Sequence, residues 1–508
     1  MGYYFISVGG SGTRVLESVA HLCAAGLLPN RNGEGHFYAM SIDPDTGNGN
    51  LTRTTTLLNC FDKFQRVAVG QNTPFLKTPL KLATPFNWSP LGLGKNLDNV
   101  TSYMNYAHTP IGKLYESLYT AKERREILDQ GFRGRPSIGA AVMSMNATTT
   151  DVNNAWNNFI RDVNSDIDIH GSAQIFLAGS IFGGTGAAGL PTIARLLQNI
   201  FSIHHQSGKV RIGGALLLPY FSFEPSDAQR MEIEARNELF ASANNFLTNT
   251  KAALRYYADT GDSGFDSMYF IGDETMLHMP IFSVGAASQR NNAHLVDFFA
   301  AMAALHFYSV NEGTHCYYIS RNNAAKFEWN DLPNVDMQDG TKISVKERLA
   351  QFVRFIFAYL HIVKPVLPKL ISGQEPKNAY PWYKDYWLKY NLDINSPEVR
   401  NFHDYAELFA QWLYQVEHSV GARRSVELID PKAFHIEHNQ AKIDPNLFAK
   451  LDYSTKSNLS IDGVRKYMAK GERGGIFSNP FGRPRIEGTE GFGLFLRRLY
   501  DSCKETNN

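Results

Sequence analysis

Apolar positions switch repeatedly between two periods over the first three hundred residues. Residues 3–8 form a short continuous apolar run, and behind it Val15, Leu16, Val19, Leu22 and Cys23 recur at helical spacing. This predicts a buried strand, a glycine turn over residues 9–13 and an amphipathic helix. A second apolar run at 36–42 ends in Asp43-Pro44-Asp45. Strand, helix, strand at this spacing is a βαβ unit, which implies a parallel sheet with ligands at the carboxyl ends of its strands. The pattern returns at 173–199: an apolar β-prone run, the stretch GGTGAAG at 183–189, then Ile193, Leu196, Leu197 and Ile200 on one helical face.

Further strands are predicted at 211–218 and 267–272, and helices at 111–129, 151–163, 229–253 and 291–307. Residues 48–131 are rich in Thr, Asn and Pro in their first half and read as an insertion of about 50–130 packed on the side of a first domain, 1–310. Beyond 314 aromatic-rich helical patterns dominate, best at 345–360 and 399–415, with Pro and Gly interruptions near 364–381 and 471–490 suggesting turns or linkers. Residues 311–508 are therefore expected to be a mostly helical C-terminal region, with a divergent second domain as the alternative reading. The fold class expected is α/β, a parallel-sheet domain followed by that helical region.

Composition narrows the function classes. A chain of 508 residues, 43% apolar and 19% charged, has enough material for two or three folded domains. With 50 Lys+Arg against 49 Asp+Glu the net charge is +1, so no global field favours nucleic acid or an anionic membrane, and any anion site is local. The four cysteines, Cys23, Cys60, Cys316 and Cys503, are far apart with no CxxC pair, which fits a reducing cytoplasm. Residues 1–7 do not read as a signal peptide. The most membrane-like run, 352–363, is about twelve residues where a span needs about twenty, and is expected to be a buried helix.

The candidate chemistry sits in the glycine loops. Three glycines among Gly183, Gly184, Thr185 and Gly186 cost ~1 kcal/mol each relative to alanine at a helix start. A bound anion explains them, because bare N–H groups and the positive end of the helix dipole then point at one spot; a tight turn between buried elements is the plain alternative. A Walker P-loop is excluded, since GxxxxGK[ST] does not occur. The first loop, Gly10-Ser11-Gly12, lacks the third glycine of a dinucleotide fingerprint, although Asp43 would suit the acid after the second strand. A nicotinamide enzyme therefore stays open, but it leaves the second loop without a purpose. His204-His205 has no partner at metal-ligand spacing and reads as a surface turn.

Two glycine loops with acids beside them suit a nucleotide whose phosphates lie across several strand ends, and here the sequence resembles the tubulin/FtsZ superfamily. Residues 182–189 are similar to the family's phosphate signature GGGTG[ST]G, with Phe182 in the first glycine's place. The resemblance implies further roles, in the correct order along residues 1–310. Gly9, Gly10, Ser11, Gly12 and Thr13 match the first glycine loop at the phosphates and nucleoside. Asp43 and Asp45 resemble the acidic loop near Mg²⁺ and the terminal phosphate. Gly134, Arg135 and Pro136 open a stretch similar to the γ-phosphate loop, with Arg135 replacing Asn and Ser137 replacing Glu; there a guanidinium would add a charge-assisted contact of ~1.5–3 kcal/mol. Glu224 matches the ribose-binding acid, with Arg230 two positions later than the family arginine, and Asn292 matches the base-reading asparagine at the start of the central helix.

The family's Asn-x-Asp motif, which brings a catalytic acid to the next subunit, is not found; Asn311 and Glu312 are only imperfect substitutes. The resemblance thus implies binding of GTP or GDP with Mg²⁺, head-to-tail self-assembly into filaments, and an open question over hydrolysis. A nucleotide-gated scaffold that does not hydrolyse GTP is the nearer alternative. Any protein partner would be read by the insertion or the C-terminal region.

Overall fold

The computed structural model describes residues 2–29, 35–68, 74–132, 134–147, 154–203, 208–222, 245–259, 263–273, 276–278, 286–310, 315–320, 327–328, 332–336, 342–380, 382–417, 419, 426–427, 434–437, 440–443 and 491–503. Contacts divide the chain into two compact units: Met1–Val19, Glu34–Thr55 and Lys81–Asn323 form the first, and Ala20–Gly33, Thr56–Leu80 and Ala324–Asn508 the second. The division is not a single cut near residue 310.

The first unit is built on a seven-stranded sheet of β1 (Gly2–Val8), β2 (His36–Ile42), β3 (Leu80–Trp88), β4 (Ala173–Ser180), β5 (Val210–Leu217), β6 (Ser267–Gly272) and β7 (His315–Ser320). Their spatial order is β3-β2-β1-β4-β5-β6-β7. β1 pairs in parallel with both β2 and β4, and β5, β6 and β7 follow in parallel register. The expected parallel α/β architecture is therefore present. Both faces of the sheet are covered, as a parallel sheet requires. On one face Tyr4, Ile6 and Val8 join a core with Trp156, Phe159, Ile193 and Leu197; on the other Tyr3 packs edge-on against Tyr308, ring centroids 5.1 Å apart.

Helices α1 (Gly9–Ala24), α2 (Gly49–Ala68), α3 (Pro136–Asn146), α4 (Ala155–His170), α5 (Thr185–Ile203), α6 (Phe246–Asp259) and α7 (Leu295–Ser309) connect these strands. The region read as an insertion contains two elements of the main architecture. α2 has a helical stripe, Leu51, Thr54, Leu58 and Phe61, that its threonines disguise. β3 is an edge strand of the sheet, the position where Pro85 needs no ladder donor. What the pattern read as one helix over 111–129 is two short ones, Pro110–Leu118 and Ala121–Arg125.

The helices of the second unit include α8 (Val345–Ala358), α9 (Pro397–Glu417) and α10 (Phe492–Ser502), so the C-terminal region is substantially helical. Phe352, Phe355, Phe402, Phe409 and Tyr500 are buried in its core. Residues 364–381 are not simply a linker: Lys364–Ile371 is helical and continues directly from a π-helical turn over Tyr359–Val363, the wider turn that precedes Pro365. No helix among the described residues is long and apolar enough to cross a membrane. Residues 471–490, His204 and His205 lie outside the described residues.

Candidate functional site

The strand order reverses direction between β1 and β4, and open α/β sheets take ligands in the crevice at the carboxyl ends of such a pair. Both glycine loops lie there. α1 starts directly after the last residue of β1, at Gly9, whose φ of 70° is the left-handed region open to glycine. α5 starts at Thr185, with residues 181–184 between it and the end of β4. The two loops touch: a Cβ on Gly9 would stand 3.2 Å from Thr185 Cβ and 3.5 Å from the Gly186 nitrogen. Two helix N-termini, each with unpaired N–H groups and the positive end of its dipole, therefore open into one cleft.

That cleft is lined by Gly9, Gly10 and Ser11 from the first loop, Gly183, Gly184, Thr185 and Gly186 from the second, Asp43 and Asp45 beyond β2, and Gly134 before α3. The fold thus gathers ten residues that the sequence singled out. Others stand aside. Gly12 is packing: a Cβ there would come within 2.2 Å of the Ala178 carbonyl oxygen, so it sets how closely α1 approaches β4. Thr13 is buried, its hydroxyl donating to the Gly9 carbonyl at 2.8 Å and its own carbonyl accepting from Thr54 Oγ1 at 3.2 Å. Arg135 precedes α3 without lining the cleft; its Nη1 is buried without a partner among the described residues. Pro136 faces a separate apolar cavity with Pro191 and Tyr257.

Asn292 is exposed, and Asn291 lines the cleft in its stead. The reason is the start of α7, which begins at Leu295 rather than near 291. His294 caps it, accepting from the Val296 N–H at 3.0 Å while Asp297 accepts from the His294 N–H at 2.9 Å. Glu224, Arg230, Asn311, Glu312 and Arg133 lie outside the described residues.

The two acids differ in setting. Burial pushes the Asp43 carboxyl up to about 8; the Asp45 N–H, 3.1 Å from Oδ1, pulls the other way, and the Asp45 charge adds to the rise. No basic side chain figures among these influences. Asp45 is also raised, by burial first, against the Ala286 N–H that donates to its Oδ2 at 2.6 Å, with Asp129 adding repulsion. Two buried carboxylates lining one cleft with two helix N-termini suit a divalent cation. No group of three or more His, Cys, Asp or Glu side chains able to hold a metal occurs among the described residues, so a cation on Asp43 and Asp45 would draw its other ligands from phosphate oxygens and water, the common arrangement for Mg²⁺.

Three features of the cleft carry no motif. Arg14, buried one turn into α1, donates from Nε to Asp297 Oδ2 at 3.1 Å and from Nη2 to the Tyr220 hydroxyl, while Tyr220 donates to Asp297 Oδ1 at 2.6 Å. Burial holds the Tyr220 phenol well above its ordinary value against the lowering effect of Arg14, so it stays a donor. Phe182, Phe221 and Phe246 form an aromatic wall, with Phe182 and Phe246 centroids 4.6 Å apart. Opposite in character is a group of amides, Asn48, Asn50, Gln289 and Asn291, drawn from segments about 240 residues apart. The asparagines at 48 and 50 are visible in the sequence as GNGN beyond the acids, but nothing local marks their partners.

No family model matches the chain, and no curated protein does. Among solved structures, CetZ from Methanosaeta thermophila strain DSM 6194 is similar at 14% identity and a TM-score of 0.22, over 53% of this chain and 45% of that one. The match spans less than half of that protein's length, and the site is read from its own geometry.

Proposed function

We propose that the chain is a divergent tubulin/FtsZ-like protein that binds GTP or GDP with Mg²⁺ in this cleft, and whose nucleotide state governs head-to-tail assembly. The observation that carries the reading is the convergence of two helix N-termini, each at a glycine loop, at the β1/β4 crevice. A single such terminus accepts one phosphate; two in contact suit a chain of phosphates. Asp43 and Asp45 would hold the Mg²⁺, which would offset their mutual repulsion and neutralise phosphate charge. The loop N–H groups would orient the phosphates and the aromatic wall would exclude water from one side. Hydrolysis, if it accompanies binding, would be water attack on the terminal phosphorus, with the developing charge met by the loop N–H groups.

The order β3-β2-β1-β4-β5-β6 is shared with dinucleotide-binding domains, so NAD is the specific competitor. Calorimetry of nucleotide-stripped protein with GTP, GDP, ATP and NAD, each with and without Mg²⁺, tests the reading. GTP is expected to bind, more tightly with Mg²⁺, and Gly184→Val to abolish that binding by putting bulk on the phosphate loop. Binding of NAD without GTP, or full GTP affinity in the valine variant, would overturn it.

A further inference from the structure

Asn50 stands out because its side chain is fully buried, lines the cleft, and leaves Nδ2 without a hydrogen-bond partner among the described residues. Buried amide donors are nearly always paired. Its orientation is fixed: Oδ1 accepts the Asn291 N–H at 2.8 Å, so a flipped amide would set two donors against each other. Nδ2 is thereby turned toward the first glycine loop, where a Cβ on Gly10 would be 3.3 Å from it. Around it the network is closed. Asn48 Oδ1 accepts the Asn50 N–H at 2.9 Å, and Asn48 Nδ2 donates to Gln289 Oε1. The Asn291 carbonyl accepts Arg53 Nη1 at 2.7 Å, and that guanidinium is held by Glu17 at 2.7 Å. The Asn50 amino group is left over, beside a helix N-terminus that is itself short of acceptors.

Resting on the nucleotide reading above, we infer that Asn50 Nδ2 is a ligand donor that completes the anion cradle of the first glycine loop by hydrogen bonding a phosphate oxygen of the bound nucleotide. Asn48, Gln289 and Asn291 are positioning residues that hold the amide in that orientation. An acceptor-only partner fits the geometry: the neighbouring groups at the head of α1 are N–H donors, and an anionic oxygen satisfies them and Nδ2 together. A ribose hydroxyl or a base carbonyl would use the same amide without needing the helix terminus.

The substitution N50D separates these cases, because a carboxylate keeps the acceptor for the Asn291 N–H while replacing the donor with a charge. Calorimetry uses GTP, guanosine and inorganic tripolyphosphate as probes, with thermal melting to confirm folding. For wild type, GTP and tripolyphosphate are expected to bind. In N50D both should weaken by more than about tenfold, while guanosine changes less than about twofold; N50A should lose about tenfold on the two phosphate probes, the range of one hydrogen bond to a charged group. Unchanged tripolyphosphate affinity in N50D, or a loss shared equally by guanosine, would overturn the assignment. If N50D does not fold, N50A decides by the same comparison. Failure of wild type to bind any probe would remove the cradle itself, a different result from a variant that binds like wild type.

Discussion

Arg14 and Asp297 show what a single pair decides when both charges are buried. Each is almost wholly shielded from solvent, and the pair joins the first glycine loop, through a 3.4 Å contact from Arg14 Nη2 to Ser11 Oγ, to the capping residue of α7. Removing one partner strands the other, so Arg14→Met is expected to destabilise the fold by about 3–5 kcal/mol, measured by urea denaturation. A loss below about 1 kcal/mol would show that Asp297 finds another partner. Asp43 predicts a pH dependence of definite sign. Its folded value of about 8 lies above the ordinary 3.8, so between those limits the folded state binds more protons than the unfolded chain. Its contribution is therefore most favourable at low pH and is lost as pH rises through 8. The melting temperature of ligand-free protein should fall relative to Asp43→Asn from pH 5 to pH 8, and Mg²⁺ with GTP should reverse the gap; parallel curves for the two proteins would refute it.

Elements differ in how well they announce themselves. α5 and its loop are plain in the sequence because glycine, then a 3.6-residue stripe, leaves little else to read. α2 is obscured: Thr52, Thr54, Thr55 and Thr56 are poor helix formers, yet Leu57, Leu58, Phe61 and Phe64 are buried. Phe61→Ala should cost about 3–5 kcal/mol in urea denaturation, as expected for an aromatic side chain deep in a core. Leu118→Ser, on the short helix Pro110–Leu118 where Leu118 is 61% exposed, should change stability by less than about 0.5 kcal/mol. α7 also illustrates a shift of meaning at an element boundary. The apolar stripe predicted a helix from 291, but the His294 and Asp297 capping interaction starts it at 295, and that shift is enough to exchange Asn292 for Asn291 at the cleft.

For the whole molecule the consequential prediction is assembly. Sedimentation velocity and negative-stain microscopy are expected to show oligomers or filaments with GTP and with a non-hydrolysable analogue, and smaller species without nucleotide. A nucleotide-bound protein that stays monomeric would leave binding intact and remove assembly. Head-to-tail contact joins two different surfaces of each subunit, which is why it extends rather than closes when the rotation does not return to its start.

By itself the sequence determined the alternation of strand and helix, the two glycine loops and the acids beyond β2. Period and glycine content are local properties, written in consecutive residues. The tertiary structure decided what those pieces do together. It set β1 beside β4, so that Gly9 meets Thr185 and two dipoles share one cleft. It drew Asn50 against Asn291 and Arg14 against Asp297, and turned Gly12 and Thr13 into packing residues. Pairings across 240 or more residues have no periodic signature, because they arise from the order in which strands enter a sheet and not from the spacing of residues along one of them.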